Sequence, residues 1–455
     1  MAQHERMSSW DRHRTKKELR KMFFDNFLGT IADNLVEANW ALVMAWYPNV
    51  AYAQKSLTMF AVSDTLWVVL SCAYYAVRTA LVANLPAYMV GKSAEKASKP
   101  LKNAFYLVYL ILTPAALISF IFSGEILGSL GVSKELLSMY VPYWRICVAT
   151  IFLICPSQFL ITSYLKATFR TREAMILDHA TTWFMAIGSF IALWVFNWGA
   201  NGMMIACFLA NAIPLIYFLI AKPCPNFFKN GFEFDQRWIK KLWLNTKWEI
   251  IRRLAPRIVA IFTTSSLLYL SPSFVSARYW IYTIGAFLEG VVDASASLAN
   301  VDVSYNSKLG FKTQKEVYQN NKFIWRLALK LFIVLTISIG FSAPIWVNII
   351  SNDSAVKNAI LNPMILILFA IEVGSKIRYY ILLSITRSFL KKYNGTMQVI
   401  YAAATSILTP IGILIFLKTL NLGLTGVFLT TAIVGFLQFF LSEIYLRKQK
   451  IKVGF

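Results

Sequence analysis

The sequence predicts an all-α polytopic membrane protein with twelve transmembrane helices, arranged as two pseudo-symmetric six-helix lobes around a central cavity. Three observations lead there. Of 455 residues, 57% are hydrophobic and 15% charged, a balance foreign to soluble multidomain chains. The apolar residues fall in runs of about 20, long enough to cross a hydrocarbon core of roughly 30 Å at about 1.5 Å per residue. The lysines and arginines collect in alternate connections between those runs, as the positive-inside rule requires. The formal charge of +23 therefore points to anionic lipid and excludes nucleic acid as a partner.

Residues 1–23 are charged and lack the apolar core of a cleavable signal, so they read as a cytosolic basic leader. Apolar stretches then lie near 24–48, 57–81, 104–124, 136–165, 174–196 and 200–221, which form an N-terminal lobe over 24–221. Those near 250–274, 279–304, 324–350, 359–386, 397–417 and 421–446 form a C-terminal lobe over 250–446, ahead of a basic tail at 447–455. Twelve spans put both termini on one side of the membrane. With the termini cytosolic in a plasma (inner) membrane, the cytosolic connections are the basic ones: Lys92, Lys96, Lys99 and Lys102, then Lys166, Arg170 and Arg172, then Lys308, Lys312, Lys315 and Lys322, then Arg387, Lys391 and Lys392.

The stretch at 222–249, with two prolines and many charges, reads as a cytosolic linker between the halves. Its later part, Phe234 to Lys247, has the aromatic and basic spacing of an amphipathic helix lying on the bilayer surface. Asn197-Trp-Gly-Ala-Asn-Gly202 opens span six, and 224 residues later Asn421-Leu-Gly-Leu-Thr-Gly426 opens span twelve. The loops before spans five and eleven also agree, Arg170-Thr-Arg-Glu-Ala-Met175 against Lys392-Tyr-Asn-Gly-Thr-Met397. These matches predict a parallel internal repeat, since each half has an even number of spans and inserts with the same orientation.

Ionisable residues inside spans cost a few kcal/mol each unless they face a cavity or a partner. Asp33 and Glu37 in span one, and Glu289 and Asp293 in span eight, are acidic pairs four residues apart, each on one helix face. They are the candidate cation-coupling residues. Glu289 and Asp293 stand out because span eight offers no basic partner between Arg278 and Asn300. Asn39, Trp40, Asp64, Arg78, Arg145, Arg257, Glu372 and Lys376 are the candidate cavity residues, although Glu372 and Lys376 also have the spacing of an ion pair along one helix. Trp67, Tyr74 and Tyr75 are candidate stacking groups.

Catalytic signatures do not emerge: there are three histidines and no HExxH or GxSxG, and Gly91-Lys92-Ser93 lacks the first glycine of a phosphate loop. The five cysteines have no paired spacing for a disulfide framework or zinc site and read as small packing residues. The expectation is a monomer that is not an enzyme and holds no metal and no cofactor.

Ala87-Tyr-Met-Val-Gly91-Lys-Ser-Ala-Glu-Lys96 after span two, Tyr140 through Pro156 in span four, and the Asn197 to Gly202 turn resemble the multidrug and toxic compound extrusion (MATE) family of the multidrug/oligosaccharidyl-lipid/polysaccharide (MOP) flippase superfamily. The resemblance is best over 57–221. It implies twelve helices in two lobes and cation-driven export by alternating access. Where that family has an aspartate at the end of its first span, this chain has Asn39, with Glu37 the nearest acid. The functional expectation is an H⁺- or Na⁺-coupled antiporter exporting a small, amphipathic organic substrate. The intramembrane cations Arg78, Arg145, Arg257, Lys330 and Lys376 also suit the alternatives, a lipid or lipid-linked saccharide flippase or an organic-anion exporter.

Overall fold

The computed structural model describes residues 15–45, 47–90, 92, 94–129, 132, 134–224, 226–229, 231–309, 314–350, 354–388 and 390–449, and the side chains of 32–42 lie outside that description. Helical runs follow the expected spans in order: α1 (Lys16–Ala45), α2 (Val50–Met89), α3 (Ser98–Ile121), α4 (Lys134–Ala167), α5 (Thr171–Val195), α6 (Gly199–Ala221), α7 (Gln236–Leu270), α8 (Pro272–Leu309), α9 (Gln314–Ile350), α10 (Pro363–Ser388), α11 (Lys391–Thr419) and α12 (Gly423–Lys448). Among the described residues, nine runs are long and apolar enough to cross a membrane, and ten when α10 is joined to the short helix Ser354–Ile360, bent from it by 54°. The runs outside that set are α1 and α7, whose ends are highly charged. Proline supplies the irregularities. The α4 run breaks at Ile154 just before Pro156, and Pro86, Pro256 and Pro344 sit inside helices that continue past them.

The chain forms two compact units, one carrying Leu35–Ile250 and the other everything from Ile251 together with α1 as far as Asn34. A first lobe starting at 24 therefore differs from the observed grouping. The reason is an apolar stripe inside the basic N-terminal stretch: Leu19, Met22, Phe23 and Phe27 recur at helical spacing and are buried. In the first unit, α2 packs against α3 and α4 around Tyr74, Val77, Leu81, Trp144 and Leu160, and all five cysteines are buried free thiols, as packing residues should be. In the second unit, α10 lies between α8 and α12.

The internal repeat is visible atom by atom at the turn between the last two helices of each unit. Asn197 and Gly199 adopt positive φ of 54° and 62°, and Asn421 and Gly423 adopt 51° and 55°. Asn and Gly are the residues that tolerate this region. The same three backbone bonds recur 224 residues apart: Phe196 N to Ile191 O, Trp198 N to Ala192 O and Gly202 N to Trp198 O match Leu420 to Ile415, Leu422 to Phe416 and Gly426 to Leu422. Each turn follows a wide helical turn, at Ile191–Val195 and Leu414–Thr419. An aromatic ring from near the start of the unit's second helix seats on each glycine. Tyr52 donates no space, its hydroxyl accepting from Ala200 N at 2.8 Å, whereas Phe274 approaches Gly423 in ordinary contact. A methyl at 199 would overlap the Tyr52 hydroxyl, while one at 423 would meet only ring carbons at 3.4 Å. Gly199→Ala is thus expected to cost about 1–3 kcal/mol, and Gly423→Ala less, read as the ordering of thermal midpoints in detergent.

The linker is docked on the first unit. Trp238 is buried, packs on Tyr88 with ring centroids 5.1 Å apart, and donates Nε1–H to Pro100 O at 3.2 Å. Residues 236–249 are the first turns of α7, with Trp238 seated on protein and Trp243 and Leu244 exposed. Trp238 thus finds its partners at the ends of α2 and α3. Lys102, one of the basic residues of the expected cytosolic connection, is buried and donates to Gly231 O at 2.8 Å and to Glu233 at 3.4 Å. Lys99 pairs with Asp235 at 2.9 Å and holds that carboxyl below the usual carboxylate range. A carboxyl held low contributes stability above its unfolded value, about 3.9, and loses it as pH falls through the lower folded value. Limited proteolysis of the 226–235 segment is expected to be unchanged from pH 8 to about 5 and to rise only below about 4, with Asp235→Asn removing that dependence.

Candidate functional site

Three helices of the second unit converge on one charged cluster. Glu372 and Lys376 lie one turn apart on α10, and Lys376 Nζ donates to Glu372 Oε1 at 3.0 Å and to Glu289 Oε1 of α8 at 3.2 Å. Tyr282, two turns before Glu289 on the same face of α8, donates its hydroxyl to Glu372 Oε2 at 3.0 Å. On α12 the Thr431 hydroxyl donates to Phe428 O at 3.1 Å. The Tyr282 ring is held by Phe428, stacked at 5.9 Å, and by Phe369, edge-on at 5.3 Å. Glycines allow the helices this close. A Cβ at Gly435 of α12 would stand 2.7 Å from Ser375 Oγ and 3.4 Å from Glu372 O, and one at Gly285 of α8 would overlap the Phe369 ring.

Exposure rises across the cluster: 8% for the Glu372 side chain, 17% for Lys376 and 44% for Glu289. Glu372 is thus a buried anion satisfied by an ammonium and the Tyr282 hydroxyl, and Glu289 is the exposed end of the network. Within this network two carboxylates share one ammonium, with the Arg278 guanidinium 5.2 Å from the Tyr282 ring centroid, so Glu289 is the carboxylate least satisfied by its neighbours.

This arrangement corrects the expectation that Glu289 has no basic partner, which considered only its own helix; the partner comes from α10, 87 residues on. Asp293 follows one turn later on α8 and is more exposed than Glu289, and Glu289 makes the ion pair to Lys376. The pairing of Glu372 with Lys376 along α10 is the one their spacing anticipated. Tyr282 was missed, although it carried a signal, the seven-residue step to Glu289. The side chains of Asp33, Glu37, Asn39 and Trp40 lie outside the described residues. Asp64 is exposed on α2. Arg78 is half-buried with its guanidinium 5.4 Å from the Phe159 ring and 5.9 Å from Tyr75. Arg145 is exposed over the Phe120 ring at 5.5 Å, and Arg257 is exposed on α7. Tyr74 is fully buried and stacked on Phe159 at 4.8 Å, which makes it a packing residue of the first unit.

The first unit has a different buried pair. Lys166 at the end of α4 and Asp178 of α5 meet at 3.0 Å with each side chain 4% exposed. Beside them Arg170 pairs with Glu173, which also accepts from the Tyr217 hydroxyl of α6. Lys166 and Arg170 therefore brace the ends of α4, α5 and α6, where charge counting alone placed them in a cytosolic connection.

No protein-family model matches the chain, and no curated protein sequence matches it. Solved structures do. A MATE structure in complex with MaD3S is similar with a TM-score of 0.78 and 13% identity, covering 95% of this chain and 96% of that one. A Vibrio cholerae MATE transporter gives 0.72 and 14%, with 98% of each chain covered. A MOP superfamily transporter from Pyrococcus furiosus, described by a reverse polarity of its binding pocket that suggests a different function, gives 0.75 and 13%, with 95% of each covered. The chain has the fold of the MATE transporters of the MOP superfamily, twelve helices in two lobes.

Proposed function

We propose that the protein is a secondary active transporter, a cation-coupled antiporter that exports a small amphipathic organic substrate by alternating access from a plasma (inner) membrane with cytosolic termini. The observation that carries this reading is the Glu372–Lys376–Glu289 network, two carboxylates sharing one ammonium, whose outermost member is 44% exposed. A purely structural ion pair satisfies both its members, whereas Glu289 is left as a site that a coupling ion completes. The repeat supports the same reading, since two matching units are what alternating access uses. Binding of substrate and of the coupling ion are then linked, each lowering the other's affinity.

In proteoliposomes, an imposed pH or Na⁺ gradient is expected to drive ethidium or tetraphenylphosphonium against its own gradient, and Glu289→Gln to lower the initial rate about tenfold or more. Failure of both gradients to move either probe, or full activity in the variant, removes the reading. The second reading, a flippase for lipid-linked saccharide or an exporter of organic anions, is favoured by the half-buried Arg78 over its two aromatic rings and by the reversed polarity described for the Pyrococcus furiosus neighbour. Arg78→Glu is expected to spare organic-cation efflux under the first reading and to abolish transport under the second.

A further inference from the structure

We propose that Lys376 is a tethered cation occupying the seat that an alkali ion would take in the second unit, so that Glu289 exchanges a proton and transport proceeds without sodium. This deepens the antiport reading and rests on it. Carboxylate oxygens from two helices, Glu372 Oε1 and Glu289 Oε1, point at one position, with the Tyr282 hydroxyl turned to the same Glu372 carboxylate. Hard oxygens gathered in this way are what a group-one or group-two cation selects. The position between them is filled by the Lys376 ammonium at 3.0 and 3.2 Å. A sodium ion added there would sit against an equal charge, so repulsion as well as occupied space opposes it. A proton has no such conflict, because it adds to a Glu289 oxygen on the exposed side.

Among the described residues the charged and titratable groups around the cluster are few. From α8 the cluster is faced by Glu289 and Tyr282, with Asp293 one turn beyond Glu289 and Arg278 over the Tyr282 ring at 5.2 Å. From α10 it is faced by Glu372, from α11 by Tyr401, behind which Arg252 of α7 lies 5.5 Å from the ring centroid, and from α12 by the uncharged Thr431. On α9 the wall toward α8 is uncharged, with Thr336, Ile339 and Gly340. When Glu289 takes a proton, Lys376 is left to Glu372 alone and the cluster is neutral. When the proton leaves, Lys376 is shared again. The Lys376 ammonium thus alternates between sharing the carboxylates of Glu289 and Glu372 and pairing with Glu372 alone, with no metal ion to load or release.

The test is the thermal midpoint of the detergent-purified full-length protein in NaCl against N-methylglucamine chloride at equal ionic strength. Wild type and Lys376→Arg are expected to show no sodium-specific shift. Lys376→Gln, which vacates the seat, is expected to gain a saturable rise of roughly 5 °C, and Lys376→Gln with Glu289→Gln to lose it again. A sodium-specific rise in wild type, or none in Lys376→Gln, overturns the inference. Recovery of folded Lys376→Gln only from sodium-containing buffer supports it, and if that variant folds in neither medium the wild-type response decides. Ethidium movement driven by a pH gradient in sodium-free wild-type proteoliposomes separates the two claims. If the probe moves and the vacated seat stays blind to sodium, only the tethered cation falls; if the seat binds sodium and no probe moves, only the antiport reading falls.

Discussion

Lys376→Met is expected to destabilise the protein by about 3–5 kcal/mol in sodium-free detergent, the cost of leaving a buried carboxylate without its counter-charge. Glu372 has no water to fall back on at 8% exposure, and the Tyr282 hydroxyl supplies a dipole where a full charge was lost. Glu372→Gln is expected to cost less, because Lys376 keeps the Glu289 carboxylate at 3.2 Å. The double variant Glu372→Gln with Lys376→Met should recover much of the loss, since the remaining Glu289 is half-exposed and is hydrated in place. Thermal midpoints of the four proteins give the coupling directly. Strictly additive losses would mean that the two side chains do not act as one unit.

The second large effect belongs to the first unit. Asp178→Asn is expected to cost about 3–5 kcal/mol, because Lys166 is 4% exposed and would keep its charge with a neutral amide for a partner. Lys166→Met with Asp178→Leu is expected to be near neutral or stabilising, as removal of a whole buried pair often is. Coupled transport should survive in that double variant, since the pair braces α4 against α5 and lies in the other unit from the Glu289 network. Stability recovered with transport lost would assign Lys166 and Asp178 a part in the cycle that their geometry does not give them.

Much of the fold was legible because hydropathy is a property of the local chain. Twelve apolar runs became twelve helical runs, and the Asn-x-Gly signature at 197 and 421 identified a repeat whose backbone bonds coincide one for one. What escaped was long-range. Glu289 looked unpartnered because its ammonium comes from 87 residues away, and spacing along one helix reports nothing about a neighbour helix. The partners of Lys102 and Lys166 escaped for the same reason, being Gly231 and Glu233 of the linker and Asp178 of α5. The seating of Trp238 on Tyr88 and Pro100 was equally out of reach, because an aromatic and basic spacing along the linker names no partner. Within α1, the apolar stripe from Leu19 to Phe27 was masked by the lysines and arginines around it, though its period was there to be seen.

The most direct measurement of the central claim is proton release on substrate binding. Tetraphenylphosphonium added to weakly buffered, detergent-solubilised protein, first brought to a pH low enough to load the network with its proton, should displace that proton, because substrate and proton compete for one site. Wild type is expected to acidify the medium with a saturable dependence on the added cation, and Glu289→Gln to bind the cation without acidification. Binding by wild type with no proton released, or equal release from Glu289→Gln, would contradict the account.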